Sequence, residues 1–171
     1  FYDNLNGLIP ASDGKILKTT DGGNSWEIVT TGNTKALLGV TYADHQNCIA
    51  VGDSGTILLS SDSGNSWQNV ISNTNILLRD VEAIDNNYVV IGDSGTILTS
   101  SDGGLNWIKK SNSNKYELFD ISSADDCGLI VGDEGSILET SDNGVTWQSV
   151  SSNLNLFGIS DIAFSDFHNG I

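Results

Sequence analysis

The sequence predicts an all-β fold: a β-propeller of four-stranded antiparallel blades, with about four blades present as an arc of a larger propeller. Three observations predict it. An octet ending in Trp recurs every 40 or 41 residues, a second glycine-rich block precedes it in each copy, and the stretches between are short aliphatic runs bounded by Gly, Asp and Asn. No window of ten residues carries helical periodicity, so essentially no helix is expected.

The octet runs Thr19 to Trp26, Ser60 to Trp67, Ser100 to Trp107 and Thr140 to Trp147, with the shared pattern Ser/Thr-x-Asp-x-Gly-x-Ser/Thr-Trp and one lapse at Asn106. Its aspartates are Asp21, Asp62, Asp102 and Asp142. A carboxylate at the start of a tight reversal accepts hydrogen bonds from turn N–H groups, and the glycine two residues later supplies the φ > 0 conformation that the reversal needs. Trp26, Trp67, Trp107 and Trp147 are expected to be buried at the base of each hairpin. These eight residues therefore read as scaffold rather than as catalytic or calcium-binding groups, and the octet as a hairpin between strands C and D.

The second block is Gly-Asp-Ser-Gly-Thr-Ile-Leu at 52–58, repeated at 92–98 and, as Gly-Asp-Glu-Gly-Ser-Ile-Leu, at 132–138. Its glycines mark a reversal between strands B and C, where Asp53, Asp93 and Asp133 again read as turn residues. A degenerate copy follows Pro10. In the third copy the strands are expected at 78–84, 88–91, 96–100 and 106–110. The repeats fall at approximately 1–41, 42–81, 82–121 and 122–163, with 164–171 entering a further repeat, because Phe164-x-Asp166-x-x-Asn169-Gly170 restates Phe1-x-Asp3-x-x-Asn6-Gly7. Four short strands cannot bury both faces of a sheet alone, and packing such sheets around an axis solves that; an open superhelical array is the alternative.

With 22 acidic against 7 basic residues the formal charge is -15, and Arg79 is the only arginine. Such a field disfavours nucleic acid and anionic membrane surfaces and favours a cationic protein. No run is long and apolar enough to span a bilayer, and no basic-then-apolar leader opens the chain. Cys48 and Cys127 fall two blades apart, so no disulfide is expected. His45 and His168 occupy equivalent turns in copies too distant to share a metal. No cofactor or metal is expected; a calcium site at Asp85 or Asp125-Asp126 is the one alternative.

The octet is identified as an Asp box, or bacterial neuraminidase repeat, and its pairing with Gly-Asp-x-Gly-x-Ile-Leu resembles the photosystem II stability and assembly factor family over essentially the whole chain. That resemblance implies a propeller fold and a non-catalytic assembly or interaction role, and similar repeats occur in secreted bacterial proteins. Asp boxes also occur in sialidases, which need three arginines for the substrate carboxylate; one cannot make three. Propeller glycosidases of the xyloglucan type need only two carboxylates. However, Asp80, Asp120 and Asp161 recur at the start of strand A in successive copies, which marks a scaffold role.

Function is then sought where the copies differ. The linkers from strand D to the next strand A present Lys35, Ile76, Tyr116 and Phe157 at one position, followed by Leu38, Arg79, Phe119 and Ser160. Lys35, Arg79, Tyr116, Phe119 and Phe157 are the candidate binding residues; the competing assignment wedges them between blades. The expected function is a non-catalytic scaffold or protein-interaction module, part of a larger extracellular, cell-surface or periplasmic protein, with a partner of basic character. The alternatives are a carbohydrate-active propeller or a structural repeat.

Overall fold

The computed structural model describes residues 1–112, 114–151, 157–166 and 169–170. The β-branched runs pair into successive antiparallel sheets. The first holds β1 (Gly7–Pro10), β2 (Lys15–Thr19) and β3 (Glu27–Thr30); the second holds β4 (Leu37–Tyr42), β5 (Cys48–Gly52), β6 (Ile57–Ser60) and β7 (Gln68–Val70). The third is β8 (Leu78–Ile84), β9 (Asn87–Gly92), β10 (Thr96–Ser100) and β11 (Ile108–Lys109), and the fourth β12 (Leu118–Ala124), β13 (Cys127–Gly132), β14 (Ile137–Thr140) and β15 (Gln148–Ser149). A two-strand ribbon, β16 (Phe164–Asp166) and β17 (Asn169–Gly170), follows. These are blades 1 to 4 of a partial propeller, each a meander in the order A-B-C-D. Blade 1 departs from the expected four strands: residues 3–5 make a bend that feeds β1 directly, so its sheet begins at strand B. The one helical element among the described residues is a 3₁₀ turn at Asp53–Gly55.

Strands β4, β8 and β12 lie side by side at the inner edge, and the short strands β7, β11 and β15 form the outer edge. Between consecutive blades lie apolar layers, which is why strands B and C are buried on both faces: every residue of β5, β6 and β10 is buried. Alternation divides each strand between two layers. In β9, Tyr88 and Val90 face the layer shared with Ile49 and Leu59 of blade 2, while Val89 and Ile91 face the layer shared with Ile121 and Ile130 of blade 4.

The box tryptophans correct one expectation. Trp107 is buried among Ile49, Leu59 and Tyr88, but Trp26, Trp67 and Trp147 are only half-buried. The rings of Trp67, Trp107 and Trp147 pack in the apolar layers shared with the preceding blade, whereas Trp26 in blade 1 lies edge-on to Phe1. The indole N–H of Trp67, Trp107 and Trp147 donates to the carbonyl of the box glycine three residues back (2.9–3.1 Å).

Candidate functional site

The Asp boxes use their carboxylates completely within the turn. In the first, Asp21 Oδ1 accepts from Ser25 N (2.9 Å) and Thr19 Oγ1 (2.8 Å), and Oδ2 from Ser25 Oγ (2.6 Å). Asp62 and Asp142 repeat this with Ser60 and Ser66 and with Thr140 and Thr146. The lapse at Asn106 is chemically none, because its Nδ2 donates to Asp102 Oδ2 at 2.7 Å where the other boxes use a hydroxyl. Hydrogen bonds to the ionised form hold these carboxyls down. The Ser25 hydroxyl and N–H take Asp21 to about 2, and the Asn106 amide and N–H do the same for Asp102. Asp62 and Asp142 are lowered chiefly by Ser66 and Thr146.

One end of the arc is built from the B–C turns and the linkers that arrive from strand D. Thr31 Oγ1, Ser72 Oγ and Asn112 Nδ2 donate to the carbonyls of Gly14, Gly55 and Gly95, pinning each linker to the B–C turn of its own blade. The backbone N–H groups of Lys35, Ile76 and Tyr116 are then fixed by the side chains of Asn33, Thr74 and Asn114. The equivalent backbone at Phe157 is held through its carbonyl, which accepts Glu134 N at 2.9 Å. On this pinned framework Tyr116 is 52% and Phe157 92% exposed, and Lys35 is exposed beside an open groove of about 620 Å³ lined by Asn33, Asn69, Ile71, Asn73 and Asn75.

Arg79 and Phe119 belong to a different arrangement. Each strand A carries a bulge at the same place, after Leu37, Leu78 and Leu118, and the extra residues are Leu38, Arg79 and Phe119. The Arg79 guanidinium lies 5.1 Å from the Phe119 ring centre, bonds Asp93 Oδ1 through Nε (2.5 Å) and reaches Glu117 Oε2 at 3.6 Å. Its charge is therefore engaged by two carboxylates and an aromatic face. Arg79 braces blade 3 against blade 4, while Tyr116, Phe157 and Lys35 are presented outward.

The bulge also redirects the following residue, and this was not legible in the sequence. Asp80 Oδ2 accepts Ile121 N on β12 at 3.3 Å and Asp120 Oδ2 accepts Ile162 N, just ahead of β16, at 2.8 Å, so each aspartate reaches the backbone of the following copy. Beside them Ser123 Oγ donates to Glu82 Oε1 (2.9 Å). Burial, and then hydrogen bonding to Asp120, push Asp80 up to about 8, and burial raises Asp120 and Glu82. At the equivalent place in β4 stands Gly39, whose missing Cβ would lie 2.8 Å from Asp80 Cα and 2.9 Å from Asp80 Oδ1.

His45 is exposed, with its ring 4.4 Å from that of Tyr2, and His168 lies outside the described residues. Among the described residues no three His, Cys, Asp or Glu side chains are placed to hold a metal ion, Asp85, Asp125 and Asp126 included. Cys48 in blade 2 and Cys127 in blade 4 are free thiols. Among the described residues no helix is long and apolar enough to cross a membrane.

The family profile of photosynthesis system II assembly factor YCF48 matches residues 66–164, more than half of the chain. Solved structures of similar fold include YCF48 bound to D1 peptide, at 18% identity and TM-score 0.72, covering 96% of this chain and 55% of that one. YCF48 from Cyanidioschyzon merolae matches at 16% and 0.70, covering 96% and 62%. The Niastella koreensis GH74 enzyme matches at 12% and 0.75, covering 95% and 32%. Identities this low speak for fold alone, and the chain spans about half the length of the YCF48 chain seen with its peptide. No curated protein matches the chain in sequence.

Proposed function

The chain belongs to the photosynthesis system II assembly factor YCF48 family, and from that premise we propose that it is a non-catalytic module that docks a segment of another polypeptide on the end formed by the B–C turns and linkers. The observation that carries this reading is the pair Tyr116 and Phe157. They are large aromatic side chains at equivalent positions, exposed on backbone that is already hydrogen-bonded in place. Exposed aromatics on a pinned backbone give contact area at little backbone ordering cost on binding. A relative of the same fold holds a D1 peptide, which supports a polypeptide as the ligand class.

Two finer points belong to the same proposal. The charge of -15 favours a partner with basic residues, and an extracellular, surface or periplasmic setting fits a repeat type shared with secreted bacterial proteins. The likeness to a GH74 enzyme supports glycoside hydrolysis as a second reading. That chemistry needs two carboxyl groups about 5–9.5 Å apart with the sugar between them. Asp80 and Asp120 instead each accept a backbone N–H of the following copy, from Ile121 and Ile162, so the first reading is preferred.

The test is a peptide library selected on the chain and counter-selected on the double variant Tyr116→Ala/Phe157→Ala. Peptides that bind the parent and lose the variant, at unchanged melting temperature, are the expected result. A strong fall in melting temperature on substitution would show the rings to be packing residues and remove the docking face. Cleavage of a xyloglucan oligosaccharide would favour the second reading.

A further inference from the structure

Toward the outer rim, the seam between consecutive blades closes differently in each copy. The strand C residue just before the box is Lys18, Leu59 or Thr99 in blades 1 to 3, and it meets the box of the following blade. Lys18 crosses the first seam, its Nζ donating to Asn65 Oδ1 at 2.5 Å. Leu59 fills the second: it is buried, and a Cβ on Gly104 would lie 3.5 Å from its Cδ1. Thr99 is too short for either role, and the third seam keeps a cleft of about 220 Å³ lined by Thr99, Gly144 and Val145. Three further differences between the copies meet there. Opposite Thr99 on the outer strand stands Ile108, where the other blades carry Glu27, Gln68 and Gln148. Two residues on, and so on the same face, Lys110 replaces Val29, Val70 and Val150. Across the seam the box tip is Val145, where the first two boxes carry Asn24 and Asn65.

We propose that this cleft docks an acidic polypeptide segment, which seats one aliphatic or aromatic side chain between Ile108 and Val145 and sets a carboxylate against Lys110. Ile108 is 65% and Val145 48% exposed, so the walls are apolar surface that the fold itself leaves uncovered. The volume falls below the roughly 300–1,000 Å³ of small-molecule pockets and suits a single side chain. Charge selects the sign of the partner. Lys110 lines the cleft and has no ion pair among the described residues, and the stretch 109–115 holds three of the chain's seven basic residues. The one carboxylate among the described lining residues, Asp102, has both oxygens bonded within its own box, to Ser100 and Asn106. An acidic segment is therefore attracted to Lys110, and a basic one is repelled.

The cleft is held in shape before anything binds. Asn87 Nδ2, at its margin, donates to Asn143 O across the same seam (3.1 Å), and Asp142 fixes the turn that carries Val145 through Thr140 and Thr146. Binding there orders little of the protein. This surface is built from a C–D hairpin and an Asp box, whereas Tyr116 and Phe157 stand on linkers beside the B–C turns. The inference holds whether or not a peptide docks at those aromatics.

The experiment selects a display library of linear peptides on the 171-residue chain and counter-selects it on Thr99→Leu, which fills the cleft as Leu59 fills the one before it. Enriched peptides are then titrated by fluorescence polarisation against the parent, Lys110→Glu and Tyr116→Ala/Phe157→Ala, with the methyl resonances of Ile108 and Val145 followed by NMR. Expected are peptides with an aliphatic or aromatic residue beside Asp or Glu, whose affinity falls about tenfold or more on Thr99→Leu and on Lys110→Glu. Binding should weaken with added salt, survive the double variant unchanged, and shift both methyls saturably. If no peptide is lost on Thr99→Leu, if the enriched peptides lack acidic residues, or if the methyls do not move, the site is overturned. Should Thr99→Leu fail to fold, Ile108→Ser, at an exposed position, takes its place with the same outcomes.

Discussion

Two sets of aspartates recur at the same period in this chain and are chemically opposite. Those of the Asp boxes, at the tips of the C–D hairpins, each receive three hydrogen bonds from donors within four residues, which hold their carboxyls below the ordinary range. Those at the inner edge, Asp80 and Asp120, receive one backbone N–H apiece from the following copy and are pushed upward by partial burial, Asp80 to about 8. Recurrence in sequence therefore marks a shared place in the fold but not a shared charge. What decides the charge is whether the donors are local, and arrive with the turn, or come from a neighbouring blade that also excludes solvent.

The largest expected effect on this comparison comes from removing the ring that ties a box to its neighbour. Trp107→Ala should cost about 3–5 kcal/mol in denaturant unfolding. The half-buried Trp67 should cost measurably less, and equal costs would mean that the seam contributes nothing beyond the hairpin. Next come the box glycines. Gly104 has φ +86 and its Cβ would meet Ile49 Cδ1 at 2.6 Å, whereas Gly103, at φ +77, has open space around it. Gly103→Ala should carry only the conformational cost of about 1–2 kcal/mol, and Gly104→Ala that cost plus repacking of Ile49.

A third prediction sharpens the electrostatic contrast in a single curve. Box carboxyls have folded values below the ordinary range, so their stabilisation is present above that range and disappears as pH falls toward about 2. Asp80 acts in the opposite sense, losing stabilisation as pH rises from the ordinary carboxylate range through about 8. Melting temperature should therefore peak in mildly acidic solution and decline on both sides. A curve that rises steadily to alkaline pH would contradict the inner limb while leaving the boxes intact. Smallest of all, Asn106→Ser should change stability by no more than about 0.5 kcal/mol, because it exchanges an amide donor to Asp102 Oδ2 for the hydroxyl used in the other boxes.

The sheet order, the turn glycines and the strand limits of blade 3 were legible because they depend on local pattern. Strands A and C of that blade lie at 78–84 and 96–100 as expected, strand B is one residue longer at each end, and only the outer strand is shorter, at 108–109 instead of 106–110. The difference has a local cause: Asn106 is consumed by the box, and an outer strand has a single partner to pair with. The inner edge was not legible. Asp80, Asp120 and Asp161 could be seen to recur, but their burial comes from bulges and from the next blade, neither of which has a sequence signature here. The one available signal was the small residue at the same register, Gly39, where an aspartate stands in the later copies. Likewise Arg79 looked like a free cationic tip, since nothing in its own repeat reveals that Asp93, Glu117 and Phe119 converge on it.

The ties at the inner edge have one further property. Asp80 and Asp120 each contribute a side-chain acceptor, and what they ask of the following blade is a main-chain N–H, which every residue except proline possesses. A blade copied by gene duplication, or replaced by a divergent one, satisfies its predecessor whatever side chains it carries at that position. Compatibility between neighbours is thus inherited through the backbone, leaving the linker tips free to diverge from one copy to the next.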